Sequence, residues 1–286
     1  MTPIHGFFPG CAYKSAAGYR ESVEAVNTRL DIHLQALEDW NCCGATAAFS
    51  LDEADGLALC ARLFALAQRQ GFARIVTVCN ACYTTLLKAK KHLEKDRQKF
   101  AAVCKRLAGQ GLELTGTLPD VSHYLDVLAE TLAALPPTDT AGSADALSAV
   151  GVYYGCQYSR PWLSGPAAQR PRVLEDVLGR LGIGTVDHSA GTLCCGASHA
   201  VPYADACGGM IRRIVGEIRA KGGEIITTIC PMCQFNLDAG QRDRRQAPLP
   251  VTYFTQLVGL ALGIAPEELG LNKLLIPLGA EKKQAS

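Results

Sequence analysis

The chain has 286 residues, 48% of them hydrophobic, with 28 Lys and Arg against 27 Asp and Glu. That length suits two domains of ordinary size, and the near balance of charge excludes an electrostatic draw toward nucleic acid or an anionic membrane surface. The longest apolar stretch, around Leu257 to Ile264, falls short of the roughly 20 residues that a bilayer-spanning helix needs, and no signal peptide opens the sequence. A soluble, cytoplasmic protein with no membrane span is the expectation.

In chain order, the segment GFFPGCAY from Gly6 brings the first cysteine, Cys11, and the adjacent pair Cys42-Cys43 follows with Gly44 behind it. Ser50 and Glu53 read as a capping box that opens a helix; Leu57, Ala61 and Phe64 line one face of it, and Gly71 ends it. The β-branched run Ile75 to Val78 then predicts a buried strand leading into Cys79 and Cys82, a C-x-x-C. LPPTDTAGSAD, residues 135–145, has a Pro pair and no apolar period, so it reads as a linker between an N-terminal domain, 1–134, and a C-terminal domain, 146–286.

Beyond the linker the order repeats. GVYYGCQY from Gly151 carries Cys156, and Cys194-Cys195 precede Gly196. Met210, Ile211, Ile214, Val215 and Ile218 share one helix face that ends at Gly222-Gly223, and Ile225 to Ile229 form a strand before Cys230 and Cys233. Two copies of one pattern imply duplication. Helix, strand, cysteine motif, helix in each copy predicts an α/β fold of two pseudo-equivalent domains, each an open, mostly parallel sheet with flanking helices and its cysteines in loops at the carboxyl ends of strands.

Ten of the 13 cysteines belong to the scheme. An odd total in a chain of this length argues against a disulfide framework and for metal ligation in a reducing compartment. Five thiols per copy exceed the four that a tetrahedral zinc or a cubane cluster takes. Gly44 and Gly196 permit a positive φ just after each pair. Cys79 and Cys230 belong at strand ends, with Cys82 and Cys233 in the first turn of the next helix, where Pro231 is well placed and amide dipoles favour thiolates.

The duplicated scheme, with WNCCGAT at Trp40 and CPMCQFNLD at Cys230, resembles the B subunit of heterodisulfide reductase and its relatives, the duplicated CCG-domain proteins that include components of bacterial sulfur-oxidising complexes. The resemblance covers nearly the whole chain. It implies two noncubane [4Fe–4S] clusters, one held by Cys11, Cys42, Cys43, Cys79 and Cys82 and the other by Cys156, Cys194, Cys195, Cys230 and Cys233, although some relatives have been described with zinc in one site. It also implies a catalytic subunit that cleaves a disulfide, or oxidises thiol or sulfane sulfur, between the two halves. The chain shows no ferredoxin-type cysteine run and no dinucleotide-binding glycine motif, so an iron–sulfur relay subunit and a flavin subunit are the expected partners.

Other residues read more plainly. Cys60, Cys104 and Cys207 suit small hydrophobes in helices. His188 and His199 are candidate proton donors and Arg160, Arg170 and Arg172 candidate anion anchors, each weighed against an ordinary structural or surface role, and no catalytic residue is singled out. Two rival functions remain: an electron-transfer CCG subunit of a succinate, glycolate or lactate-type oxidoreductase, and a non-catalytic zinc-stabilised scaffold.

Overall fold

The structure is a computed structural model describing residues 4–45, 48–135, 147–159, 166–241 and 247–278. The expected linker lies outside the described residues, apart from Leu135, as does Arg160.

The first half runs β1 (Ile4–Phe8), α1 (Gly10–Ser15), α2 (Tyr19–Leu30), β2 (His33–Ala36), α3 (Ala48–Leu51), α4 (Glu53–Arg69), β3 (Arg74–Thr77), α5 (Asn80–Lys95), α6 (Arg97–Ala108), β4 (Asp120–His123) and α7 (Tyr124–Ala134). The second half follows with β5 (Val150–Tyr153), α8 (Pro166–Gln169), α9 (Val173–Arg180), β6 (Thr185–Val186), α10 (Ala204–Ala220), β7 (Ile225–Thr228), α11 (Pro231–Ala239), β8 (Val251–Tyr253) and α12 (Phe254–Ala261). Each half builds a four-stranded sheet, β2-β1-β3-β4 and β6-β5-β7-β8. All the pairings are parallel, with Gly6 opposite Ile75 and Gly151 opposite Ile226 at matching places in the two sheets. The fold is therefore the expected duplicated α/β architecture.

Burial explains the strands. Ile75, Val76 and Thr77 of β3 and all of β7 are buried, as strands covered by helices on both faces must be. Along α4 the predicted face holds, with Leu57, Ala61 and Phe64 buried, each large apolar side chain contributing about 1.5–3 kcal/mol. Its cap is Asp52 rather than Ser50: the Asp52 carboxylate accepts the Asp55 amide at 2.9 Å, while Ser50 belongs to the short α3. In α10, Ile211, Ile214, Val215 and Ile218 are buried, but Met210 is exposed and leaves the predicted face.

By contact the chain forms two compact units, residues 1–11 with 31–127 and residues 12–30 with 128–286. The second unit thus includes α2 of the first half. Its Tyr19 stacks on Tyr253 with ring centroids 4.1 Å apart, and the Ser22 and Thr255 hydroxyls are 2.7 Å apart.

Candidate functional site

The strand order places β1 between β2 and β3, and β5 between β6 and β7. In such sheets the chain leaves neighbouring strands toward opposite faces, and ligands gather in the crevice beyond their carboxyl ends. The cysteines occupy that edge. Cys11 follows β1, Cys42 and Cys43 follow β2, and Cys79 and Cys82 follow β3; Cys156, Cys194-Cys195 and Cys230 with Cys233 repeat the plan after β5, β6 and β7.

In the first unit the thiols link pairwise. Cys11 hydrogen-bonds Cys42, Cys43 Sγ is 3.4 Å from Cys82 Sγ, and Cys82 also meets Cys79. The second unit repeats the chain of contacts: Cys156 with Cys194, Cys195 Sγ 3.5 Å from Cys233 Sγ, and Cys233 with Cys230. Among the described residues no three His, Cys, Asp or Glu side chains already converge as a metal site. Within each set the thiols meet in pairs, Cys43 with Cys82 and Cys195 with Cys233 at the shortest separations.

Their electrostatics favour one thiolate per buried pair. The hydrogen bond from Cys82 lowers Cys43 to about 7, and Cys82, which keeps the proton, is pushed well above the ordinary thiol value. Cys195 is lowered in the same way by Cys233, whose own value is raised. Burial lifts Cys156 to about 12 and also raises Cys42. Backbone amides help at the pairs: Gly44 N donates to Cys42 Sγ at 3.5 Å and Gly196 N to Cys194 Sγ at 3.4 Å. Cys79 and Cys230 are the N-caps of α5 and α11, Pro231 takes the first turn of α11, and Cys82 and Cys233 lie in the first turns. The amide dipoles there favour sulfur anions, but the bonds to neighbouring thiols, with burial, outweigh them at Cys82 and Cys233.

The predicted positive φ is present, +74° at Gly44 and +77° at Gly196. An ideal Cβ on Gly44 would stand 2.8 Å from Ala48 Cβ, and one on Gly196 would stand 2.5 Å from Cys207 Sγ. The close approach that requires glycine is therefore made by the following helical segment. Cys207 donates to Gly196 O at 3.6 Å, and Cys60, raised well above the usual value by burial, donates to Cys43 O at 3.4 Å. These two remain helix residues, as expected, but each holds a cysteine-pair loop by its carbonyl. Cys104 donates to Leu114 O at 3.7 Å, away from both sets.

Two polar residues beside Cys195 escaped the sequence reading. The Tyr153 hydroxyl donates to Leu193 O at 2.6 Å and hydrogen-bonds Cys195; burial, with the second set's thiols adding to it, raises its pKa far above the phenol value. Asn236 Nδ2 donates to Cys195 O at 3.1 Å. The available signal was the difference between GFFPGC and GVYYGC, which sets Tyr153 where the first half has Phe8. His188 accepts the Ala190 amide at 3.2 Å, and burial lowers its pKa; His199 packs edge-on to Tyr203. Arg170 pairs with Asp187, and Arg172 stands at the N-cap position of α9 without a side-chain capping bond. An apolar cavity of about 480 Å³ in the second unit, lined in part by Ala197, Pro231, Met232, Phe235, Tyr253 and Leu275, opens beside this second cysteine set.

A family model for the CCG cysteine-rich domain matches residues 5–87 and again 150–238. The chain belongs to the duplicated CCG-domain family that includes the B subunit of heterodisulfide reductase. It is 33% identical over 284 residues to the 8-methylmenaquinol:fumarate reductase membrane anchor subunit of Wolinella succinogenes, covering 96% of this chain and 98% of that one. It is 29% identical over 277 residues to the B subunit of the ferredoxin/F420H2-dependent CoB-CoM heterodisulfide reductase of Methanosarcina acetivorans, covering 93% and 91% of the two chains. A hypothetical protein from Helicobacter pylori shares the fold, with a TM-score of 0.75 and 15% identity; the match covers 97% of this chain and 52% of that one. These relationships give the CCG chain a redox role. Among its described residues no helix is long and apolar enough to cross a membrane.

Proposed function

We propose that this chain is the sulfur-active iron–sulfur subunit of a heterodisulfide-reductase-type complex. Cys11, Cys42, Cys43, Cys79 and Cys82 would hold one noncubane [4Fe–4S] cluster, and Cys156, Cys194, Cys195, Cys230 and Cys233 the other. The observation that carries the reading is the twice-repeated placement of cysteines after three neighbouring strands, at the carboxyl edge of each parallel sheet, with one close thiol pair in each set. Two further features fit a bound inorganic group. Thr77 and Thr228, two residues ahead of each C-x-x-C, bury hydroxyls with no hydrogen-bond partner among the described residues, an arrangement that costs about 1–3 kcal/mol unless something bound accepts the bond. In addition, the thiol of each buried pair that is pushed down in pKa supplies a thiolate, the form that ligates metal.

When bound, such clusters pass electrons singly, and two would meet the two-electron demand of a disulfide. The protein's own part is to hold the thiolates at strand ends, to steady them with the Gly44 and Gly196 amides, and to keep Cys43, Cys79, Cys82, Cys195, Cys230 and Cys233 buried from water. The cavity beside the second set offers room for an organic sulfur substrate. Without a ferredoxin run or a flavin motif in the sequence, electrons would be exchanged through an iron–sulfur subunit and a flavin subunit.

A second reading has specific support, because the Wolinella succinogenes relative, similar over nearly its full length, is a subunit of a quinol:fumarate reductase. The chain would then pass electrons within a complex that acts on a dicarboxylate. Donor-driven disulfide cleavage by the iron-loaded chain separates the two. The proposed function predicts cleavage in the unaltered protein and its loss in both Cys82→Ser and Cys233→Ser. Absence of cleavage by a fully loaded chain, with electron transfer to a quinone analogue instead, would decide for the second.

A further inference from the structure

The two cysteine sets share a backbone plan but differ in the side chains that meet the second cysteine of each adjacent pair. In the second unit the Tyr153 hydroxyl, 2.6 Å from Leu193 O, also reaches Cys195, and Asn236 Nδ2 stands 3.1 Å from Cys195 O and 3.9 Å from Cys195 Sγ. In the first unit Phe8 takes the place of Tyr153 in the repeated GFFPGC segment, and Thr85 takes the place of Asn236 six residues after the first cysteine of the C-x-x-C. Neither offers Cys43 a comparable donor. Phe8 has no hydroxyl and sets its ring edge-on to Trp40 with centroids 5.6 Å apart, while Thr85 gives its hydroxyl to Ala81 O at 2.6 Å. The Cys43 carbonyl is met instead by the Cys60 thiol at 3.4 Å, a weaker donor than an amide or a phenol.

Building on the assignment of one cluster to each set, we propose that Tyr153 and Asn236 are positioning residues that raise the reduction potential of the second set above that of the first, so that the second set is reduced first. Reduction adds one electron, and part of the added negative charge falls on the ligating sulfurs. Donors aimed at Cys195 therefore stabilise the reduced form more than the oxidised form. Tyr153 has a single proton, shared between the Leu193 carbonyl and the sulfur, and it shifts toward the sulfur as charge builds there. Asn236 has two amide protons, enough for the Cys195 carbonyl and sulfur together. Water acts in the opposite sense, since Cys11 is exposed while Cys156 is only half-buried. The donors outweigh it because Tyr153, Asn236 and Cys195 are all buried, and a low local dielectric strengthens a hydrogen bond.

The test is a redox titration of the anaerobically prepared full chain, with dithionite as reductant and ferricyanide as oxidant, followed by visible absorption and electron paramagnetic resonance. Iron is determined on the same sample. Two steps are expected. Tyr153→Phe, which keeps the buried ring, should move the more positive step in the negative direction and leave the other in place, and Asn236→Ser should do the same. Phe8→Tyr should move the more negative step in the positive direction. If Tyr153→Phe and Asn236→Ser leave both steps unmoved, or move the more negative one, the proposal is overturned and the cluster assignment stands. A sample without iron would overturn both, and the iron determination tells the two failures apart.

Discussion

Gly196 shows how one missing side chain supports a cysteine set. Its φ is +77°, and a Cβ there would lie 2.5 Å from Cys207 Sγ. Gly196→Ala should destabilise the metal-free protein by about 1–2 kcal/mol through the left-handed backbone alone, with a further loss from the contact. Cys207→Ala in the same chain should restore the contact part and leave the backbone part. Urea unfolding of the single and double variants measures both, and a Gly196→Ala protein as stable as the parent would contradict the account. At the paired cysteines, Cys43→Ser should remove the iron of the first set and spare the second, since each set draws its thiols from its own unit. Loss of all iron from a folded Cys43→Ser protein would show that the sets depend on each other. The cysteines and both glycines were legible as sequence because spacing and repetition announce them. Tyr153 and Asn236 were not: their role comes from contacts across strands and helices to Cys195, which no local pattern encodes.

Among the elements, the strands β3 and β7 and the helices that follow were legible because β-branched runs and a C-x-x-C stand side by side. Helix starts were harder to place. Ser50 and Glu53 satisfy a capping-box pattern, yet Asp52 is the residue whose carboxylate reaches the backbone, because the chain turns between α3 and α4. Asp52→Ala should therefore cost about 1 kcal/mol, more than Ser50→Ala, which leaves the cap of α4 in place. Thermal unfolding of the two variants gives the order, and the reverse order would restore the capping-box reading. Met210 failed for a related reason. Periodicity assigns a residue to a face only to within a position or so: the buried stripe of α10 runs through Cys207, Ile211, Ile214 and Ile218, and Met210 stands at its exposed edge.

For the whole molecule, the duplication predicted two sheets of one topology, and both are present. Less visible in the sequence was the membership of α2 in the second unit, since a helix carries no local mark of what it packs against. Tyr19 is fully buried there, stacked on Tyr253, with its hydroxyl 3.5 Å from Ile229 O, one residue before Cys230. Tyr19→Ala should cost about 3–5 kcal/mol, as loss of a large buried aromatic does, and hydrogen exchange should rise in β7, β8 and α12 while β3 stays protected. Equal exchange in both sheets would contradict that placement. The central claim, that each five-cysteine set holds a four-iron cluster, meets its most direct test in metal analysis of the anaerobically reconstituted full chain. The account predicts about eight irons per chain, taking four for each cluster, with little zinc and broad visible absorption. Stoichiometric zinc with little iron and no colour would contradict it and leave the zinc-stabilised scaffold as the function of these ten cysteines.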